Sequence, residues 1–273
     1  MMKILLTLAF LFFFGSLLGW VLELFFRRLF GDKKWVNPGF LRGPYLPIYG
    51  LGLDALFLLC RIDLSAIPFF PLQVVVRILI MGISMTLIEY IGGLIFVKGM
   101  KIKLWDYSDQ WGNIQGIICP LFSLIWTAAG AAYYFLLDPF FYNSVIWLWD
   151  NLAFSFVVGF FFGLFSVDLA STLQVASRIK SFAEKHQIVV RYEKLKGDIQ
   201  DALKESRKKV PFFRPFSVPS PLENFLKRYL FRENPNASAH KIDKRKDDKK
   251  EEYMPETNPQ NKENAQQEKD DKQ

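Results

Sequence analysis

The sequence predicts an all-α protein: a polytopic membrane bundle of about five transmembrane helices, continued by a cytoplasmic helical segment and a disordered C-terminal tail. Three observations lead there. The part before Asp168 holds several runs of about 18 or more apolar residues, the length a helix needs to cross a bilayer core. Beyond Asp168 the composition turns to Lys, Glu, Asp, Gln and Asn, so the mean hydropathy of +0.14 averages two opposite halves. Lysine and arginine gather in alternate loops between the apolar runs, as cytoplasmic loops do. Lipid offers backbone groups no water, so runs of this kind must be helical.

The spans are read at about 4–26, 44–60, 72–97, 114–137 and 144–167. The first follows Lys3 and has the look of a signal peptide. Its apolar run is longer than the roughly 7–15 residues of a signal core, and no A-x-A-like cleavage site follows. The loop after span one carries Arg27, Arg28, Lys33, Lys34 and Arg42, and the loop after span three carries Lys98, Lys101 and Lys103. The loop after span two has Arg61 alone, and the loop after span four has none. Loops one and three and the tail are therefore placed in the cytoplasm and the N-terminus outside, in the cell membrane. The net charge of +7 and the pI near 9.2 belong to loops and tail, and no nucleic-acid partner is expected. Cys60 and Cys119 fall at opposite faces in this topology, so no disulfide is expected between them.

Residues 1–168 form the predicted bundle and 169–209 the helical extension, with Leu173, Ala176, Ile179, Ala183, Leu195, Ile199 and Leu203 in helical spacing. Residues 210–233 hold the Pro-rich "VPFFRPFSVPSP" and a short amphipathic segment, "LENFLKRYLF". Residues 234–273 are polar, charged and predicted disordered.

Polar side chains within or beside the spans carry the most information, because a charge at the bilayer centre costs on the order of 3 kcal/mol or more. Glu23 and Arg27 share a helix face and can pair. Glu89 has no basic residue three or four positions away and sits about eight residues, roughly 12 Å, inside the cytoplasmic end of span three. Asp54 and Arg77 lie at similar depths on antiparallel neighbours and are expected to form a structural ion pair. In "LWDYSDQWGNIQG" (104–116), Trp105, Tyr107 and Trp111 suit the headgroup layer, Asp106 and Ser108 suit a turn, and Asn113 could cap span four. Glu23, Asn37, Arg42, Tyr49, Glu89, Asp106, Tyr107, Asn113 and Asp168 all fall near one face of the bilayer, although they come from every part of the bundle.

"NPGFLRGPYLPIYGLG" (37–52) is dense in backbone-breaking residues for a simple loop. Pro38, Pro44 and Pro47 hold it extended or kinked, and Gly39, Gly43, Gly50 and Gly52 allow close approach. Irregular backbone at membrane depth survives where protein buries it or a wet cavity meets it. The segment is thus expected to fold into the cytoplasmic mouth, with Asn37 and Arg42 facing the acidic cluster. Gly15 with Gly19, and Gly159 with Gly163, are small-xxx-small pairs suited to helix contact.

"GWVLELFF" (19–26), the 37–52 stretch, Glu89 with Gly92 and Gly93, "WDYS" (105–108), Asn113, Gly116 and the Asp168 end of span five occur in this order. Together, over residues 4–171, they resemble the ABC-transporter type IV family of bacterial membrane proteins. The resemblance implies a permease-like component, and says nothing of the tail. The chain has no G-x-x-x-x-G-K-[ST] phosphate loop, so a separate ATP-binding subunit would drive it. Five spans are few for a pore, so a homo-oligomer is expected in the bilayer. Two alternatives stay open. In one, the chain is a membrane-embedded enzyme acting on a lipid headgroup, with Glu89 or Asp106 as acid or base and Arg42 holding a phosphate or carboxylate. In the other, it is a scaffold recruiting partners through its tail. The two histidines, His186 and His240, lie in the tail, so no histidine-based metal site is expected in the bundle. No metal, cofactor or catalytic residue is assigned.

Overall fold

The computed structural model describes residues 2–30, 35, 37–205, 226, 229 and 230. The chain divides into two units, Met1–Leu222 and Glu223–Gln273. In the second, Leu226, Tyr229 and Leu230 are helical. The Pro-rich stretch, most of the amphipathic segment and the tail from residue 234 lie outside the described residues.

The first unit is mainly helical: α1 (Met2–Phe30), α2 (Pro47–Cys60), α3 (Phe70–Leu94), α4 (Pro120–Ala132), α5 (Asp138–Asp150), α6 (Ser155–Lys185) and α7 (Tyr192–Glu205). Pro47, Pro71, Pro120 and Pro139 all sit in the first turn of their helices, where a missing N–H costs nothing and the fixed φ favours the start. Pro47 is thus a start signal, and the extended Leu46 before it donates its N–H to the Ser16 carbonyl of α1 (2.9 Å).

Four helical stretches are long and apolar enough to cross a membrane: Met2–Leu29, Phe70–Gly99, Pro120–Asp150 and Leu152–Lys185. This corrects the expected five in two places. The second span is a 14-residue apolar helix, about 21 Å at 1.5 Å per residue, short of a bilayer core. The segment between expected spans four and five is helical, set off from α4 by a π turn, and the chain turns again at Asn151 (φ −125°, ψ 55°). The sequence misled here because "DPFFYNS" reads as a loop, whereas its proline is in the first turn of α5. Span four also begins at Pro120 and not at Ile114, since residues 114–119 form a tight loop with Ile114 bridged to Ile118.

A π turn (Tyr133–Leu137) and Pro139 separate α4 from α5, and both devices redirect a helix. The start of α5 is held by Arg61 at the end of α2 (Nη1 to Asp138 Oδ1, 2.6 Å), and Trp149 at its far end lies under Lys3 of α1 (4.9 Å). α5 therefore lies across the ends of α1 and α2. Phe141, Val145 and Leu148 close the core there against Phe10, Leu56 and Phe57. Elsewhere α3 turns Val75, Leu79, Ile83, Leu87 and Ile91 outward at helical spacing, a face suited to hydrocarbon.

α1 and α2 pack closely because Gly15, Gly19 and Gly50 leave no side chain between them. A Cβ on Gly19 would overlap the Tyr49 ring. The second small-residue pair is different: a Cβ on Gly159 or Gly163 would meet nothing within 4 Å.

α6 continues past Asp168 to Lys185 without a break. It ends where Gln187 takes a left-handed conformation (φ 53°) and Ile188 N–H reaches back to the Ala183 carbonyl (3.0 Å). The chain then forms β2 (Val190–Arg191), parallel to β1 (Ile102–Lys103), with Ile102 opposite Val190, and enters α7. Tyr192, Leu195 and Lys196 are buried on one face of α7.

Candidate functional site

The polar residues cluster at the end of the bundle opposite Arg61, in three linked groups. In the first, the 37–46 segment wraps the Asp168 carboxylate. Gly43 N–H donates to Oδ2 (2.8 Å) and Arg42 N–H to Oδ1 (3.3 Å). Tyr45 Oη donates to Oδ2 (2.7 Å), and Thr172 Oγ1 donates to Oδ1 (3.2 Å). Asn37 shapes the segment from within. Its Oδ1 accepts from Trp20 Nε1 (2.8 Å) and Gly39 N–H (3.0 Å), while its Nδ2 donates to the carbonyls of Leu41 and Arg42 (both 3.2 Å). Proline and glycine thus serve to curl this backbone around a carboxylate. The expectation for Arg42 needs correction: its backbone N–H meets Asp168, while its guanidinium has no carboxylate partner among the described residues.

The second group holds two carboxylates. Glu23 accepts from Arg27 Nε and from Tyr49 Oη, both at 2.8 Å. Glu89, buried on α3, accepts from Tyr107 Oη and from Trp126 Nε1, both at 3.0 Å. Both carboxylates act electrostatically on Tyr49 and on Tyr107, so the four side chains form one patch. Tyr107 lies in the loop after α3, its ring stacked on Phe122 (4.3 Å). Burial, then Glu89 and Glu23, raise its pKa well above the usual phenol value and keep it a donor.

The third group surrounds these. Arg27 Nη1 meets Glu193 of α7 (2.8 Å), and the buried Lys196 Nζ donates to the Asn37 carbonyl. Burial pushes the Lys196 amine down to about 8, with Glu193 opposing and Arg27 assisting. Asp106 accepts from Lys103 Nζ (2.6 Å), Ser108 Oγ (2.5 Å) and Arg191 Nε (3.1 Å). Burial pushes its carboxyl up, but Lys103 and Ser108 outweigh that and hold it at about 2.

Asn113 is also corrected. It does not cap α4, whose start has no side-chain cap. It donates to the carbonyls of Ser108 (3.1 Å) and Gln110 (2.9 Å) and accepts from Gly116 N–H (3.0 Å), closing the 105–117 loop on itself. Gly116 is required there twice over: its φ is 64°, and a Cβ would overlap Lys103 Nζ and Ser108 Oγ. The loop presents Trp111 at 87 % exposure.

The Asp54–Arg77 pairing does not form among the described residues. Arg77 donates to the carbonyls of Leu59 (2.6 Å), Cys60 (2.7 Å) and Ile62 (2.9 Å). The last carbonyls of a helix lack intrahelical partners and carry partial negative charge, which makes them a ready arginine site at the end of α2.

The sequence reading missed Tyr45, Trp20, Trp126, Arg191, Glu193 and Lys196. Lys196 had a signal, since it shares a helix face with Tyr192 and adjoins Leu195. The partnership of Trp126 with Glu89 joins residues 37 apart and had none. No group of three or more His, Cys, Asp or Glu is placed to hold a metal ion among the described residues.

Residues 10–173 match the family described as "Putative ABC-transporter type IV". The chain belongs to this family. No curated protein and no solved structure matches it. The family region takes in Glu23, Asn37, Tyr49, Glu89, Asp106, Tyr107, Asn113 and Asp168 and ends within α6. Glu193 and Lys196, which fasten α7 to this end, lie beyond it. Apolar helices and family together make this an ABC-transporter-related membrane protein.

Proposed function

We propose that the chain is the membrane-spanning, permease-like subunit of an ABC-type transport complex, with the ATP-binding subunit on a separate chain. The polar end faces the cytoplasm, and the N-terminus lies outside. Family membership carries this reading. The basic residues of that end, Arg27, Arg28, Arg42, Lys98, Lys101 and Lys103, support the orientation. The partner's docking surface is the 105–117 loop together with the outer face of α7. The loop is braced by Asn113 and offers Trp111, a residue type that often anchors interfaces. In this role the carboxylate network is mechanical. Glu23 joins α1 to α2, Glu89 joins α3 to α4 and to the loop, and Asp168 joins α6 to the 37–46 segment. A displacement of the loop would therefore reach every helix at this end. The enzyme alternative gains no support from Asp106, whose oxygens are taken by Lys103, Ser108 and Arg191.

The test is a tagged pull-down of the full chain from native membranes in mild detergent, with bound proteins identified by mass spectrometry. An ATP-binding protein in near-equal amount, lost on Trp111→Ala, is the expected result. Its absence from a preparation that keeps the bundle folded would refute the permease reading.

A further inference from the structure

Asp54 lies midway along α2, and nothing in the transport reading uses it. Its Oδ1 is sealed from solvent and has no hydrogen-bond partner among the described residues. Ser16 Oγ on α1 is in the same condition. Both belong to the α1–α2 interface. Ser16 Oγ abuts Gly50, where an added Cβ would overlap it, and Asp54 lies one turn beyond Gly50 on the same helix face. Helical side chains lean toward the helix N-terminus, so the carboxyl leans back toward the turn of Gly50, where Ser16 and Phe12 of α1 pack.

The other flank of Asp54 carries Leu51 and Leu58, which are 51 % and 48 % exposed. Asp54 thus stands where α2 leaves the bundle and meets hydrocarbon. On the elements packed against α2, Arg28 lies over Trp35, and the following charged groups are also engaged elsewhere. On α1, Glu23 holds Arg27 and Tyr49, and Lys3 lies over Trp149. On α3, Arg77 serves three carbonyls and Glu89 serves Tyr107 and Trp126. Beside α5 and its preceding π turn, Asp138 takes Arg61 and the Tyr133 hydroxyl. None of these charges acts on Asp54.

A carboxylate with neither donor nor counter-charge at a hydrocarbon boundary is a state that burial disfavours strongly. The carboxylic acid removes the charge and turns the group into a donor toward the face where α1 presents Ser16. We propose that Asp54 is a proton-binding site within the membrane, loaded as the acid in this conformation and unloaded when the α1–α2 interface admits water. The ligand is a proton, and Ser16 is the positioning residue. This stands independently of any partner ATPase.

The test uses the full-length protein in liposomes and the lipid-soluble dicyclohexylcarbodiimide. The carboxyl oxygen bonds to the central carbon of the reagent and the acid proton moves to one of its nitrogens, so the adduct keeps every atom and forms only from the protonated group. Peptide mapping by mass spectrometry should find the adduct on Asp54, forming at least tenfold more slowly as pH is raised to 10. It should persist in Asp54→Glu and vanish in the near-isosteric Asp54→Asn. Failure to label Asp54 at any pH, in protein that labels on other carboxyls, would overturn the proposal. So would protection by sodium or potassium at fixed pH, which would make the ligand a metal cation. A failed pull-down for the ATPase leaves this result untouched, so the two readings fail separately.

Discussion

Removing the Asp168 carboxylate should loosen the 37–46 segment and lower the stability of the whole bundle. Asp168→Ala deletes two short hydrogen bonds, from Gly43 N–H (2.8 Å) and Tyr45 Oη (2.7 Å), and two longer ones, from Arg42 N–H (3.3 Å) and Thr172 Oγ1 (3.2 Å). Hydrogen bonds to a charged acceptor contribute about 1.5–3 kcal/mol each, so the short pair alone represents roughly 3–6 kcal/mol. The site is part-buried, and the freed donors partly rehydrate, which favours the lower end, about 3 kcal/mol. For a chain of this size a loss of 1 kcal/mol lowers the melting temperature by roughly 2–4 °C, giving a fall of about 6–12 °C in detergent. A local readout accompanies the global one. The Arg42–Gly43 bond is a tryptic site held against Asp168, and cleavage there should accelerate in the variant. The control is Ser166→Ala, whose hydroxyl serves the Phe162 carbonyl of its own helix (2.7 Å). If Asp168→Ala melts and digests like Ser166→Ala, the carboxylate does not hold the segment and the reasoning is wrong.

The two glycine pairs should separate cleanly. Gly19→Ala forces a methyl into the Tyr49 ring and should cost about 1–3 kcal/mol, while Gly159→Ala, which meets nothing, should leave the melting temperature unchanged or slightly raised. Asp106 has a folded pKa of about 2 against an ordinary 3.8, so its contribution is complete above pH 4 and is lost as pH falls toward 2. Protection of the 103–108 backbone against hydrogen exchange, taken relative to the intrinsic rate at each pH, should fall in that window, and Asp106→Asn should show the lower protection already at pH 7. Lys196 has its folded pKa lowered to about 8 from 10.5, so between those values the undocked segment binds the extra proton and docking strengthens as pH rises. Proteolytic protection of α7 should therefore increase from pH 8 to 10.5, and Lys196→Met should abolish the pH dependence.

Much of the molecule was legible from the chain, and the reasons are local. Apolar runs declared helices because lipid permits nothing else, and the order of "GWVLELFF", residues 37–52, Glu89 and "WDYS" identified the family. The reading failed where two local meanings compete. "DPFFYNS" has the composition of a loop, yet Pro139 sits in the first turn of α5 and starts a helix there. Arg77 and Asp54 have complementary charge at matching depth, yet the open carbonyls ending α2 offered the arginine three acceptors at once.

By itself the sequence determined that the chain is helical, apolar in its first part, and able to place charged and aromatic groups at one end of a bundle. Those properties follow from residue type and spacing, which act over one or two helical turns. The tertiary structure alone decided which partners those groups take. That Asp168 is held by backbone amides 125 and 126 residues away, that Glu89 meets a tryptophan 37 residues on, and that Lys196 closes over Asn37 are facts of packing. A hydrogen bond needs a donor within about 3 Å, and the sequence records no distances between helices.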